Sequence, residues 1–178
     1  MKVQKILCAT DLSRNSTDGV HYSIAVAKSN RAELIVFHAT RFPFPAACPC
    51  EANLFWQLKL ADKYRVEHVL KDAQLRLKSF LYHYCREEID EVCWNSKIAI
   101  GKVAEEIVTA ACQEEIDLIV MTKTKRRVPF RLSRSVSTAV RRKAPCPVVS
   151  GDPSRMRISL PSQDRKIRFI RAMLGYGL

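Results

Sequence analysis

The chain has 178 residues, 47% of them hydrophobic and 27% charged, with a formal net charge of +12. That length carries one domain with a proper core plus a tail or insertion, and that apolar share excludes wholesale disorder. No run approaches the roughly eighteen apolar residues of a membrane-spanning helix, and Met1 to Leu7 reads as the start of a strand rather than a signal peptide.

Ile6-Leu7-Cys8-Ala9-Thr10 is a short apolar run that ends at Asp11, followed by the polar cluster Leu12 to Asp18. A buried strand entering a helix N-terminus is the natural reading, with Asn15 or Ser16 as caps and Asp18 near the positive helix end. Val20, Ile24 and Ala27 then mark one apolar helix face that ends near Ser29-Asn30. Leu34 to His38 is a second continuous apolar run, as a strand covered on both faces requires. Pro43, Pro45 and Pro49 bar regular helix from Arg41 to Cys50. Val66, Leu70, Ala73, Leu77, Leu81 and Tyr84 then follow the spacing of a long helix, which fades at Glu87-Glu88. Val92 to Ile100 is β-permissive and Gly101 closes it. Ala104, Ile107, Val108 and Ala111 form another helix stripe before the strand Asp117-Leu118-Ile119-Val120-Met121.

Thr122 to Arg134 is a basic loop interrupted by Pro129. Val136, Ala139 and Val140 mark a short helix, and Pro147-Val148-Val149 a last short strand. From Thr122 onward the chain holds fifteen Lys or Arg against two acids, whereas the preceding 121 residues hold fifteen bases and sixteen acids. The whole charge excess lies in the last third, which points to an anionic partner there.

Apolar strands separated by amphipathic helices imply an α/β fold, with a parallel sheet covered by helices on both faces. Ligands bind such sheets beyond the carboxyl ends of the strands, where the strand order reverses. Asp11 and Thr122 end the first and fourth strands, so the site is sought between them.

At this point four separated motifs, in order, resemble one family. They are Lys5 to Asp11 with Ser13 and Ser16; Gly101-Lys102-Val103-Ala104-Glu105-Glu106-Ile107; Asp117 to Met121; and Ser135-Val136-Ser137 with Ala144-Pro145-Cys146-Pro147-Val148-Val149. Together they resemble the universal stress proteins over about residues 2–151. The resemblance implies an open five-stranded parallel sheet, Rossmann-like and of the adenine nucleotide alpha hydrolase-like type, in the strand order 3-2-1-4-5. It implies a homodimer through the last strand, Pro147–Val149. It also divides the chain into a domain over 1–151, with a Pro/Cys-rich insertion at 41–53, and a basic extension over 152–178.

The family's phosphate motif, G-x2-G-x9-G-S/T, falls here on Thr122, Lys125 and Arg134, the last one residue early, and only Ser135 and Val136 keep the pattern. Glycine lets backbone amides approach a phosphate closely, so losing all three weakens that cradle. Lys123, Lys125, Arg126, Arg127, Arg131 and Arg134 act in the opposite direction by adding charge. For a bound ATP or AMP, the resemblance places adenine and ribose near Ala9, Asp11, Ala39 and Met121. It places the phosphates near Thr122, Lys125, Arg134, Ser135 and Val136. Without a ligand, Asp11 reads as a helix cap or polar strand end, and Met121 as core.

Other constellations are weaker. Cys48-Pro49-Cys50 has no second thiol pair to complete a tetrahedral metal site, and His38, His68 and His83 are not at ligand spacing to it. Seven scattered cysteines suggest reduced thiols in a cytoplasm. In Tyr82-His83-Tyr84-Cys85, neighbouring helix residues point about 100° apart, which makes a poor nucleophile and base and leaves half-buried helix residues as the default. In the extension, Ile167, Ile170, Met173 and Leu174 share a helix face, which suits an anionic membrane surface, a partner, or packing on its own domain or the other subunit. The reading is a non-catalytic stress-response or regulatory module with an altered nucleotide or anion site. Its rivals are a nucleic acid or polyphosphate binder using the basic loop 122–134 with Arg141-Arg142-Lys143, and an ATP hydrolase, for which no catalytic motif stands out.

Overall fold

The computed structural model describes residues 3–40, 55–122, 135–151 and 157–159. The apolar runs become strands β1 at Lys5–Ala9, β2 at Glu33–Thr40, β4 at Leu118–Thr122 and β5 at Val148–Gly151, and the β-permissive stretch before Gly101 becomes β3 at Trp94–Ile100. Between them lie α1 (Thr17–Asn30), α2 (Phe55–Ile89), α3 (Val103–Gln113) and α4 (Val136–Lys143). The five strands are parallel and lie in the order 3-2-1-4-5. A sixth strand, β6 at Arg157–Ser159, adds to β5 in antiparallel sense and extends the order to 3-2-1-4-5-6.

Successive strand residues point to opposite faces, and the sheet therefore has two cores. Ile6, Cys8, Leu34, Val36, Leu118, Val120 and Val149 pack under α1 and α2. Leu7, Ile35, Phe37, Ile119, Met121 and Val148 pack under α3 and α4, against Ile107, Ala110, Ala111 and Val140. A strand buried on both sides has no polar face, which is why the sequence shows unbroken apolar runs rather than alternation.

Val20, Ile24 and Ala27 of α1 are buried as their spacing predicts. In α2 the buried row is Ala73, Leu77, Leu81, Cys85 and Ile89. Steps of four residues carry that row past Tyr84, which is 38% exposed and not part of the stripe. Tyr82 is also exposed, at 63%, not half-buried. Arg31 caps α1 with φ 53° and Glu115 follows α3 with the same φ, left-handed positions held here without glycine.

Ser16 takes the N-cap position of α1, but its hydroxyl makes no cap bond. A 3₁₀ turn over Arg14–Ser16 already leads into the helix, and the Ser16 Oγ instead donates to the Ser13 carbonyl at 2.7 Å and meets Thr10 Oγ1 at 2.8 Å. The expected cap therefore serves as a tie between the end of β1 and the start of α1.

The outer edge of β5, on which the expected dimer rests, is paired within the chain. Val148, Val149 and Ser150 lie opposite Ser159, Ile158 and Arg157. Three residues of the basic extension thus join the sheet. The Pro/Cys-rich insertion with Cys48 and Cys50, the loop cations Lys123 to Arg134, and the apolar face Ile167 to Leu174 lie outside the described residues.

Candidate functional site

The strand order reverses between β1 and β4: β2 and β3 lie on one side, β5 on the other. Ile6 to Ala9 run in register with Leu118 to Met121, so the two strands end within one residue of the same level, β1 leading on toward Asp11 and β4 closing at Thr122, which still pairs with Gly151. In parallel sheets a ligand crevice lies beyond such a switch point, and here the helices that follow the two strands, α1 and α4, pack on opposite faces.

Met121 is buried on the α3/α4 face, and half-buried Ala9 and Ala39 pack against the same cluster. Ala99 of β3, the register partner of Ala39, joins them. Alanines at the carboxyl ends of three neighbouring strands keep this part of the sheet low and apolar. A flat aromatic ring suits such a floor.

Around it the polar groups are anchored. Asp11 is exposed, and its Oδ1 accepts from the Ser13 amide at 3.1 Å and the Ser13 hydroxyl at 2.6 Å. Leu12 has φ 59° and donates its N–H to Thr10 Oγ1 at 3.1 Å. A bulky residue held in the left-handed region stores strain of about 1–3 kcal/mol, a cost common at ligand clamps. His38 Nδ1 lies 2.9 Å from the Thr10 carbonyl. A carbonyl only accepts, so Nδ1 carries the proton.

Half-buried Thr122 turns its methyl toward α1. A Cβ built on Gly19 would stand 2.7 Å from Thr122 Cγ2, so Gly19 is what lets the first turn of α1 approach β4. Thr122 therefore presents a methyl to the α1 side, away from the face of Ala9, Ala39 and Met121.

Ser135 caps α4: its Oγ accepts from the Thr138 amide at 3.2 Å and lies 3.0 Å from Ser137 Oγ. The leading amides of a helix have no intrahelical acceptor, and those of Val136 and Ser137 stand at this end. Val136 is 37% exposed. Arg141, Arg142 and Lys143 occupy the last turn, where they complement the helix dipole.

Of the nine sequence candidates, Ala9, Ala39 and Met121 share one face, Asp11 and Thr122 stand at adjacent strand ends, and Ser135 and Val136 start α4. Lys125 and Arg134 lie outside the described residues. On the opposite face, a cavity of about 1000 Å³ opens between α2 and the ends of β1 and β2, with Asp11, His38, His68, Asp72, Arg76 and His83 on its walls. The sequence hinted at it only through histidines on one side of α2, at His68 and His83. Among the described residues no group of His, Cys, Asp or Glu is placed to hold a metal ion.

A second arrangement went unseen in the sequence because its members are far apart in the chain. His21 Nδ1 meets Glu88 Oε2 at 2.6 Å, and His21 Nε2 stands 4.0 Å from Cys85 Sγ. Burial pushes the Cys85 thiol up to about 11, with the Glu88 charge adding to the effect. The neighbouring Cys8 is pushed up to about 12, mainly by burial. Covered, protonated thiols are inert toward substrates, and the row reads as packing between α1 and α2.

The model of the family described as Universal stress protein family matches residues 2–150. Among solved structures, a universal stress protein UspA from Lactobacillus plantarum has a TM-score of 0.58 at 23% identity, covering 84% of this chain and 98% of its own. A protein of the same family from Burkholderia pseudomallei has 0.50 at 24% identity, covering 84% of this chain and 96% of its own. A universal stress protein in complex with cAMP has 0.54 at 20% identity, covering 86% and 99%. No curated protein matches the chain. Among the described residues no helix is long and apolar enough to cross a membrane.

Proposed function

The chain belongs to the universal stress protein family, and from that premise we propose that it is a non-catalytic regulatory module of the stress response that takes a small anionic ligand, an adenine nucleotide such as ATP or AMP, in the crevice between β1 and β4. The observation that carries this reading is the near-level ending of β1 and β4, with Ala9 opposite Met121 beside Ala39 on one apolar face. Adenine rests on that face, and Asp11 meets the ribose hydroxyls. The phosphates lie toward Thr122, the loop cations Lys125 and Arg134, and the capped start of α4 at Ser135 and Val136. A structure similar to this one is described with cAMP bound. With the motif glycines replaced, side-chain cations carry the phosphate contacts that backbone amides would otherwise make. Phosphate affinity therefore falls with added salt more steeply than in an amide cradle. We place the module in the cytoplasm on the strength of its scattered thiols at Cys8, Cys85, Cys93 and Cys112, none of them in a disulfide.

Mass spectrometry of small molecules released from the purified protein, followed by calorimetric titration with ATP and AMP, tests the reading. Stoichiometric nucleotide, or a saturable one-to-one isotherm, supports it. A protein that releases nothing and gives no heat with either compound contradicts it. Steady ATP turnover that is lost in Asp11→Ala would remove the word non-catalytic.

A second reading follows from the charge asymmetry. The loop 122–134 and Arg141-Arg142-Lys143 form a basic stretch suited to nucleic acid or polyphosphate. The sign of this reading is binding of single-stranded oligonucleotides that weakens steeply with salt, whereas retention of a mononucleotide favours the first reading.

A further inference from the structure

The residues of β5, Val148–Gly151, are buried, and the strand would end the parallel sheet with a row of outward backbone groups. An edge of this kind recruits another strand. Here the recruit comes from the same chain, because Ser159, Ile158 and Arg157 lie opposite Val148, Val149 and Ser150. We propose that β6 is an edge strand in cis that keeps β5 from pairing with a second copy of the chain. The edge then becomes a dimer surface only when the basic extension lets go. This inference does not depend on the ligand.

Two features decide the competition. Residues 151–156 alone separate the innermost register pair, Ser150 with Arg157. A link this short holds β6 at an effective concentration on the order of millimolar, about a thousandfold above a second copy at micromolar concentration. The cis strand therefore wins under ordinary conditions. The pairing is also only three residues long, at the short end for any strand. A strand so short adds little by itself, so an event that holds the extension elsewhere frees the edge. The homodimer expected through Pro147–Val149 accordingly belongs to the form in which β6 has left.

The test uses the full chain. Sedimentation velocity over about 1 to 100 μM, spanning the range below the tethered concentration, compares the wild type with Ile158→Pro and Ser159→Pro. In an antiparallel pair consecutive residues alternate in the direction of their N–H groups, so one of the two prolines removes a ladder bond and the other does not. The expected result is a monomeric wild type, with dimer gained in at least one proline variant at a dissociation constant more than tenfold lower. A wild type that is dimeric at 1 μM, or variants that sediment like the wild type, overturns the proposal. Hydrogen exchange on the wild type decides the matter should the variants fail to fold. Those amides of residues 157–159 that face β5 are expected to be protected to the same degree at every protein concentration; protection that is absent from all three, or that grows with concentration, overturns it.

Discussion

The contact between Gly19 and Thr122 joins the start of α1 to the end of β4 at the mouth of the crevice, and Gly19→Ala tests it. An added Cβ would lie 2.7 Å from Thr122 Cγ2, against 3.4 Å for the beginning of ordinary contact, so about 0.7 Å of room is missing. Thr122 cannot easily yield, because a β-branched side chain in a strand has few rotamers and its backbone is fixed between Ala9's partner Met121 and Gly151 of β5. Forcing a methyl into such a contact costs about 1–3 kcal/mol. Alanine recovers up to about 1 kcal/mol of helix propensity, less in a first turn. The net expectation is a loss of about 1 kcal/mol, which lowers the urea midpoint by about 0.5 M at an m value of about 2 kcal/mol per M. Thr122→Ser removes the methyl, so in that background Gly19→Ala becomes neutral or stabilising. Urea unfolding followed by circular dichroism on the four proteins closes the cycle. A Gly19→Ala protein more stable than the wild type, or a loss that persists with serine at 122, would refute the argument.

Other expectations concern groups away from the crevice. Asp117 Oδ2 accepts from the Gln4 and Lys5 amides at 2.8 and 3.1 Å, tying the start of β1 to the start of β4; Asp117→Ala should cost about 2–3 kcal/mol in thermal or urea unfolding, given the size of hydrogen bonds to a charged group. The Ser150 hydroxyl is buried and has no partner among the described residues, so Ser150→Ala should stabilise the ligand-free protein by about 1 kcal/mol, and a clear loss would mean that the hydroxyl is satisfied in solution. The Cys8 and Cys85 thiols are raised to about 12 and about 11. A raised folded pKa keeps its stabilisation below the unfolded value near 9 and loses it as pH rises toward the folded values, so stability should fall between pH 9 and 11 and fall less in Cys8→Val. Alkylation of the folded protein near pH 8 should accordingly spare these two and reach exposed Cys93 and Cys112. Glu114 is held below its ordinary range by a hydrogen bond and charge from Lys97. A lowered pKa contributes above the unfolded value near 4.5 and is lost in acid, so Glu114→Gln should flatten the acid limb of the stability profile.

β1, β2 and β4 were legible because burial on both faces writes itself as unbroken apolar runs, whereas β3, an edge strand that carries Asn95, Ser96 and Lys97, reads only as β-permissive. The helices α1 and α3 were legible through their stripes. The later part of α2 misled at Tyr84: a spacing of three fits a helix as well as a spacing of four, and only packing on α1 and β3 selects Cys85 and Ile89. The start of α2 at Phe55 lies eleven residues before the first stripe residue assigned, Val66. β6 was invisible, since Arg157-Ile158-Ser159 holds one apolar residue and owes its extended form to the edge of β5. At the site, Asp11 and Thr122 follow from topology alone, because strand ends at a switch point are readable once the order is known. Ala9, Ala39 and Met121 came through the resemblance, and the shared face confirms only that they lie together. What Thr122 does, and the row Cys85, His21 and Glu88, depend on contacts across more than sixty residues, which no local pattern carries.

Methyl resonances distinguish the two faces of the sheet in one experiment. With alanine and methionine methyls labelled, addition of ATP or AMP is expected to shift Ala9, Ala39 and Met121 together while Ala73, on the wall of the opposite cavity, stays in place. Shifts confined to Ala73, or none at saturating nucleotide, would contradict the crevice between β1 and β4 as the binding site.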